Sequence, residues 1–112
     1  MDDTTGMAEE PSAGAERDIG AVLSELFALL EQRKRDLPEG SYTTTLLAGH
    51  EDQLLKKIGE EATEVVMAAK DGSADQLRYE AADLVYHLMV VLVRYGLTLE
   101  DLATELSGRR RG

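Results

Sequence analysis

The stretch Leu84-Val85-Tyr86-His87-Leu88-Met89-Val90-Val91-Leu92-Val93 constrains this chain more than any other part of it. It sits inside a longer helical pattern, and wound as a helix it is apolar nearly all the way round. Such a helix has to be covered on every side. A chain of 112 residues with about four helices can hardly surround it alone. A second copy is the simple remedy, so a homodimeric bundle is expected. The run is shorter than the ~18 apolar residues a bilayer span needs, so no membrane partner is expected.

The remaining text also reads as helix. Over 19–35 the apolar positions Ile19, Val22, Leu23, Leu26, Phe27, Leu29 and Leu30 recur at helical spacing. Asp18 is the expected N-cap and Pro38 the stop. A short helix over 41–48 is capped by Ser41 and ended by Gly49. A third runs over 51–70 to the turn Asp71-Gly72. The fourth opens on Ser73-Ala74-Asp75-Gln76, a capping-box pattern, and runs to Tyr95 with Gly96 as its left-handed terminator. Thr98-Leu99-Glu100-Asp101 opens a last short helix ending near Ser107. No segment alternates with period two for long enough to be a strand. The expected fold is all-α, a helical bundle of about four to five helices completed by homodimerisation. Residues 1–16 read as a disordered acidic tail, 17–107 as the folded domain and 108–112 as a basic tail.

Charge narrows the function. There are 22 acidic and 12 basic residues, a formal net charge of -10. Bare electrostatics would repel nucleic acid, so no nucleic-acid partner is expected. A phosphate ligand would need a cation between its charge and the protein's. With no cysteine there is no disulfide, thiolate zinc site or Cys nucleophile. That composition, with no hydrophobic N-terminal segment, leads us to expect a cytoplasmic protein.

The acids are not evenly spread. In Lys56-Lys57-Ile58-Gly59-Glu60-Glu61-Ala62-Thr63-Glu64, take Glu61 as zero on a helical wheel of about 100° per residue. Glu64 then falls near about -60°, Lys57 near about -40° and Glu60 near about -100°. The apolar stripe Leu54, Leu55, Ile58, Ala62, Val65, Val66 and Ala69 covers about 20° to 140°, which puts Glu61 at the border of the core. On the fourth helix Glu80 and Asp83 stand at i and i+3, and His87 continues their side. Antiparallel packing across Asp71-Gly72 lets the two acidic groups face each other. Carboxylates gathered in this way take up protons or recruit cations. A hard divalent ion such as Mg²⁺ fits oxygen ligands and accepts phosphate oxygens, and hydrolysis of a phosphoanhydride is the chemistry it would serve. The bland alternative is that Glu60 with Lys56, and Glu61 with Lys57, are ordinary helix pairs worth ~0.2–0.5 kcal/mol each.

The pattern Glu61-x-x-Glu64, then 15 residues, then Glu80-x-x-Asp83 resembles the signature of the all-α nucleoside triphosphate pyrophosphohydrolases, the MazG-like superfamily. The flanking text is similar to one of its families. Ser41-Tyr42-Thr43, Leu46-Leu47, the segment from Lys56 to Val66, Ala68-Ala69-Lys70, and Glu80-Ala81-Ala82-Asp83-Leu84-Val85-Tyr86-His87-Leu88 look like phosphoribosyl-ATP pyrophosphohydrolase of histidine biosynthesis. The resemblance covers 19–107. The acidic motifs specify only the superfamily, whereas the Ser-Tyr-Thr segment and the Tyr86-His87 pair point to this family.

The resemblance implies Mg²⁺-dependent cleavage of phosphoribosyl-ATP between its α and β phosphates, giving phosphoribosyl-AMP and pyrophosphate, by a cytoplasmic homodimer. It implies Glu61, Glu64, Glu80 and Asp83 as metal ligands. Glu60, the fifth acid, would hold a second ion or orient the attacking water, so Glu60 and Glu61 are the candidate catalytic residues. Lys57 would contact the leaving pyrophosphate, with a helix ion pair as its alternative. Ser41 and Tyr42 are candidate contacts to ribose or phosphate, although Ser41 also fits a cap. His87 reads as a hydrogen-bonded core residue or a support for Asp83, outside the ligand set. Arg33, Lys34 and Arg35 either steer the substrate or complete a solvated helix end. Two other functions stay open: a house-cleaning hydrolase of surplus nucleoside triphosphates on the same fold, and a non-enzymatic helical adaptor dimer.

Overall fold

The computed structural model describes residues 17–110; the expected acidic tail over 1–16 and positions 111–112 of the basic tail lie outside the described residues. Within them run five helices and no strand: α1 (Ile19–Asp36), α2 (Tyr42–Ala48), α3 (Glu51–Asp71), α4 (Ala74–Arg94) and α5 (Leu99–Ser107). The fold is all-α.

The boundaries follow local chemistry. Asp18 accepts a hydrogen bond from the Gly20 amide and caps α1. Pro38 disfavours helical backbone at the residue before it, and Leu37 leaves the helix with a left-handed φ of 45°. Ser41 accepts from the Thr44 amide and starts α2. Gly72, at φ 75°, ends α3.

The expected capping box on α4 is only half formed. Ser73 Oγ accepts from the Gln76 amide at 3.2 Å, but Gln76 does not return the bond. The Ser73 amide is already donated to the Ala68 carbonyl at the end of α3, and the Gln76 side chain turns to Glu80 instead, at 2.7 Å. The full reciprocal box occurs on α5, between Thr98 and Asp101.

The core lies toward one end of the molecule. Phe27 and Leu30 of α1, Leu46 and Leu47 of α2, Leu54 of α3, and Met89, Val90 and Val93 of α4 are buried together. Burying each such side chain is worth ~1.5–3 kcal/mol. α2 is tied to α4 by polar bonds as well: Thr43 Oγ1 lies 2.6 Å from the Tyr86 hydroxyl, and Arg94 donates to the Leu46 carbonyl at 2.8 Å.

α3 and α4 pack against each other as an antiparallel hairpin, the most extensive helix contact in the chain. The wheel placed the apolar stripe of α3 on its core side; the structure turns the helix further. The inward positions are Leu54, Ile58, Glu61, Val65 and Ala68. Leu55, Gly59, Ala62, Val66 and Ala69 face outward and are exposed, Val66 by 57%. Sheltering Glu61 therefore moves apolar residues, Leu55 and Val66 among them, into solvent. On α4, Val85 and Leu88 are also exposed, so one chain does not cover this helix on every side. No single helix among the described residues is long and apolar enough to cross a membrane.

Candidate functional site

Midway along the hairpin, Glu61 of α3 meets Asp83 and His87 of α4. One ligand-type atom from each, two carboxylate oxygens and a ring nitrogen, lies within 4.8 Å of the others. Glu61 is only 6% exposed. Its Oε1 is buried without a hydrogen-bond partner. Burial pushes the Glu61 carboxyl above its usual value, and the neighbouring Asp83 pushes the same way; His87 and Lys57 oppose them. A buried acid with an orphaned oxygen beside a second acid has the donor chemistry that could hold a cation.

The other sequence-predicted residues are distributed around this centre. Lys57 Nζ lies 3.7 Å from Glu61 Oε2 and 3.8 Å from Glu60 Oε1, so it stands as an ion pair to both. Glu60 and Glu64 are exposed. Glu80 is buried and accepts a hydrogen bond from Gln76. Neither Glu64 nor Glu80 belongs to the 4.8 Å group. Ser41 serves as the α2 cap. The Tyr42 hydroxyl reaches His87 Nε2 at 3.3 Å.

His87 is the hydrogen-bonded core residue that the sequence leads one to expect, and it also stands within the acidic group. Its Nδ1 lies 2.9 Å from the Asp83 carbonyl oxygen. A carbonyl only accepts, so Nδ1 is the donor and the lone pair of the neutral ring is on Nε2. Tyr86 and Tyr42 stand edge-on to the imidazole, at centroid distances of 5.1 and 6.4 Å. A lone His within an apolar run carries no local sign of this setting, because Tyr42 lies on a different helix.

Lys34 proves to be a helix-end residue. Its Nζ donates to the Val93 carbonyl at 3.0 Å and approaches that of Arg94 at 3.4 Å, closing the end of α4. The cleft of about 440 Å³ beside it, lined by Glu31, Lys34, Arg35 and Thr98 among others, includes none of the acidic cluster.

Known proteins with similar sequences bear on this geometry. Residues 23–110 match the family model described as phosphoribosyl-ATP pyrophosphohydrolase. A phosphoribosyl-ATP pyrophosphatase of Haloarcula marismortui is 47% identical over 95 residues, covering 83% of this chain and 97% of that protein. One from Halobacterium salinarum is 50% identical over 91 residues, covering 79% of this chain and 96% of its own length. A histidine biosynthesis bifunctional protein of Thermus thermophilus is 49% identical over 96 residues, which are 86% of this chain but 45% of that protein. The chain thus spans nearly all of the two pyrophosphatases and about half of the bifunctional protein. With the match running through both acidic helices, the chain belongs to the phosphoribosyl-ATP pyrophosphohydrolase family.

Proposed function

We propose that this chain hydrolyses phosphoribosyl-ATP between its α and β phosphates, releasing phosphoribosyl-AMP and pyrophosphate in histidine biosynthesis, with Mg²⁺ as cofactor. The activity named for the full-length relatives supports this reading. The observation that carries its chemistry is the partnerless, buried Glu61 Oε1 beside Asp83. Bound there, a divalent cation supplies a Lewis acid toward a phosphoryl oxygen and offsets the repulsion between an acidic protein and a triphosphate.

The proposed ligand set is Glu61, Glu64, Glu80 and Asp83. Glu61 and Asp83 already stand together; Glu64 would give up its exposure and Glu80 its bond to Gln76. Glu60, exposed on the same helix, orients the attacking water in this scheme. Lys57 leaves its ion pairs to meet the departing pyrophosphate, and Tyr42 and Ser41 contact the ribose or a phosphate.

The working unit we propose is a cytoplasmic homodimer. Two exposed or half-buried rows support it: Leu55, Gly59, Ala62, Val66 and Ala69 on α3, and Ala81, Val85, Leu88 and Leu92 on α4 with Tyr95 at its C-cap. Both advance in alternating steps of four and three residues, the spacing of a helix-packing seam. A second hairpin would bury them and complete a four-helix bundle.

Pyrophosphate release from phosphoribosyl-ATP, compared with release from a panel of deoxynucleoside triphosphates, tests the substrate. A clear preference for phosphoribosyl-ATP is expected. Equal or faster release from the deoxynucleotides would overturn the proposal in favour of a house-cleaning hydrolase.

A further inference from the structure

We propose that His87 is itself a metal ligand, through Nε2, and that the centre, by adding an imidazole to its carboxylates, accepts a first-row divalent ion such as Mn²⁺. This rests on the metal-dependent reading above and adds a residue to it.

Three observations converge on the ring. A nitrogen of His87 already shares the 4.8 Å group with oxygens of Glu61 and Asp83. The Nδ1–H is donated to the Asp83 carbonyl at 2.9 Å. Ligating histidines are commonly held in this way, with the second ring nitrogen anchored on a carbonyl so that the tautomer and orientation of the first are set. His87 is 4% exposed, with Tyr86 and Tyr42 edge-on to its imidazole, so the ring is held before any ion arrives.

The rival for Nε2 is weak. The Tyr42 hydroxyl stands off at 3.3 Å, long for a hydrogen bond of this kind, and Tyr42 is 52% exposed. Water can take over the hydroxyl when an ion takes the nitrogen. Imidazole is a good ligand for first-row transition ions and a poor one for Mg²⁺, which keeps water in such positions. The acidic residues alone predict no difference between the two ions at this point; His87 does.

Mn²⁺ alone, added to the full chain, provides the probe. Pulsed electron paramagnetic resonance should show modulation from a directly bound histidine nitrogen in the wild type. His87→Gln should abolish that signal, raise the Mn²⁺ Kd by about tenfold or more, and raise the Mg²⁺ Kd by less than about threefold. The wild-type spectrum needs no variant to fold. Bound Mn²⁺ without nitrogen modulation would overturn the role of His87 and leave the carboxylate site standing. Failure of both Mn²⁺ and Mg²⁺ to bind would overturn the metal reading itself, and this inference with it.

Discussion

Glu61 and Asp83 reach toward each other from facing helices, with carboxylate oxygens within 4.8 Å and a ring nitrogen of His87 alongside. Two acids at that separation, one of them buried, are not both ionised without cost. In the metal-free protein the strain falls on Glu61, whose carboxyl is raised first by burial and then by Asp83.

That strain has a pH signature. A carboxyl raised in the folded state binds its proton more tightly there than in the unfolded chain. Its stabilisation is complete below the usual carboxyl value of 4.5 and disappears as pH rises through the raised one. Glu61→Gln has no such dependence. In urea unfolding with a chelator present, the variant should be more stable than the wild type near about pH 8, and the gap should shrink as pH falls toward 4.5. A gap that does not change with pH would contradict the assignment.

Lys34 tests the alternatives for the basic cluster. Its amine closes the C-terminal end of α4 on the carbonyls of Val93 and Arg94. Lys34→Met should lower stability by about 1 kcal/mol in chemical denaturation. KM and kcat for phosphoribosyl-ATP should be unchanged. A several-fold rise in KM at low salt would restore a steering role.

The outward rows on α3 and α4 predict an assembly. Leu88 is 43% exposed in one chain and sits at the centre of the α4 row. Leu88→Glu places a charge where the second hairpin would pack. Sedimentation equilibrium should find the wild type at twice the chain mass, and the variant monomeric with a lower melting temperature. A monomeric wild type would contradict the bundle.

Much of this is legible in the residues, and the failures have separate causes. Asp18, Ser41, Gly72 and Gly96 mark helix ends through local backbone chemistry, which a linear text carries well. Ser73 is an exception because its amide is drawn into the end of the preceding helix. The inward face of α3 was misread because the wheel assumes that an apolar stripe belongs to the chain's own core. Here apolar side chains occupy two faces, and Glu61 takes an inward position that hydrophobicity would have assigned to Ala62. The setting of His87 was hidden for another reason: its contact with Tyr42 joins helices far apart in sequence. The paired acids were visible because i, i+3 spacing on a helix fixes a face.

Asp83→Asn offers the sharpest test, since it removes the charge and keeps the shape. Pyrophosphate release from phosphoribosyl-ATP is to be followed with Mg²⁺ and with chelator, in wild type and variant, alongside circular dichroism. Full release is expected only in the wild type with Mg²⁺, with a loss of about a hundredfold or more in the variant and unchanged helicity. Wild-type rates in the variant, or undiminished release under chelation, would contradict that expectation.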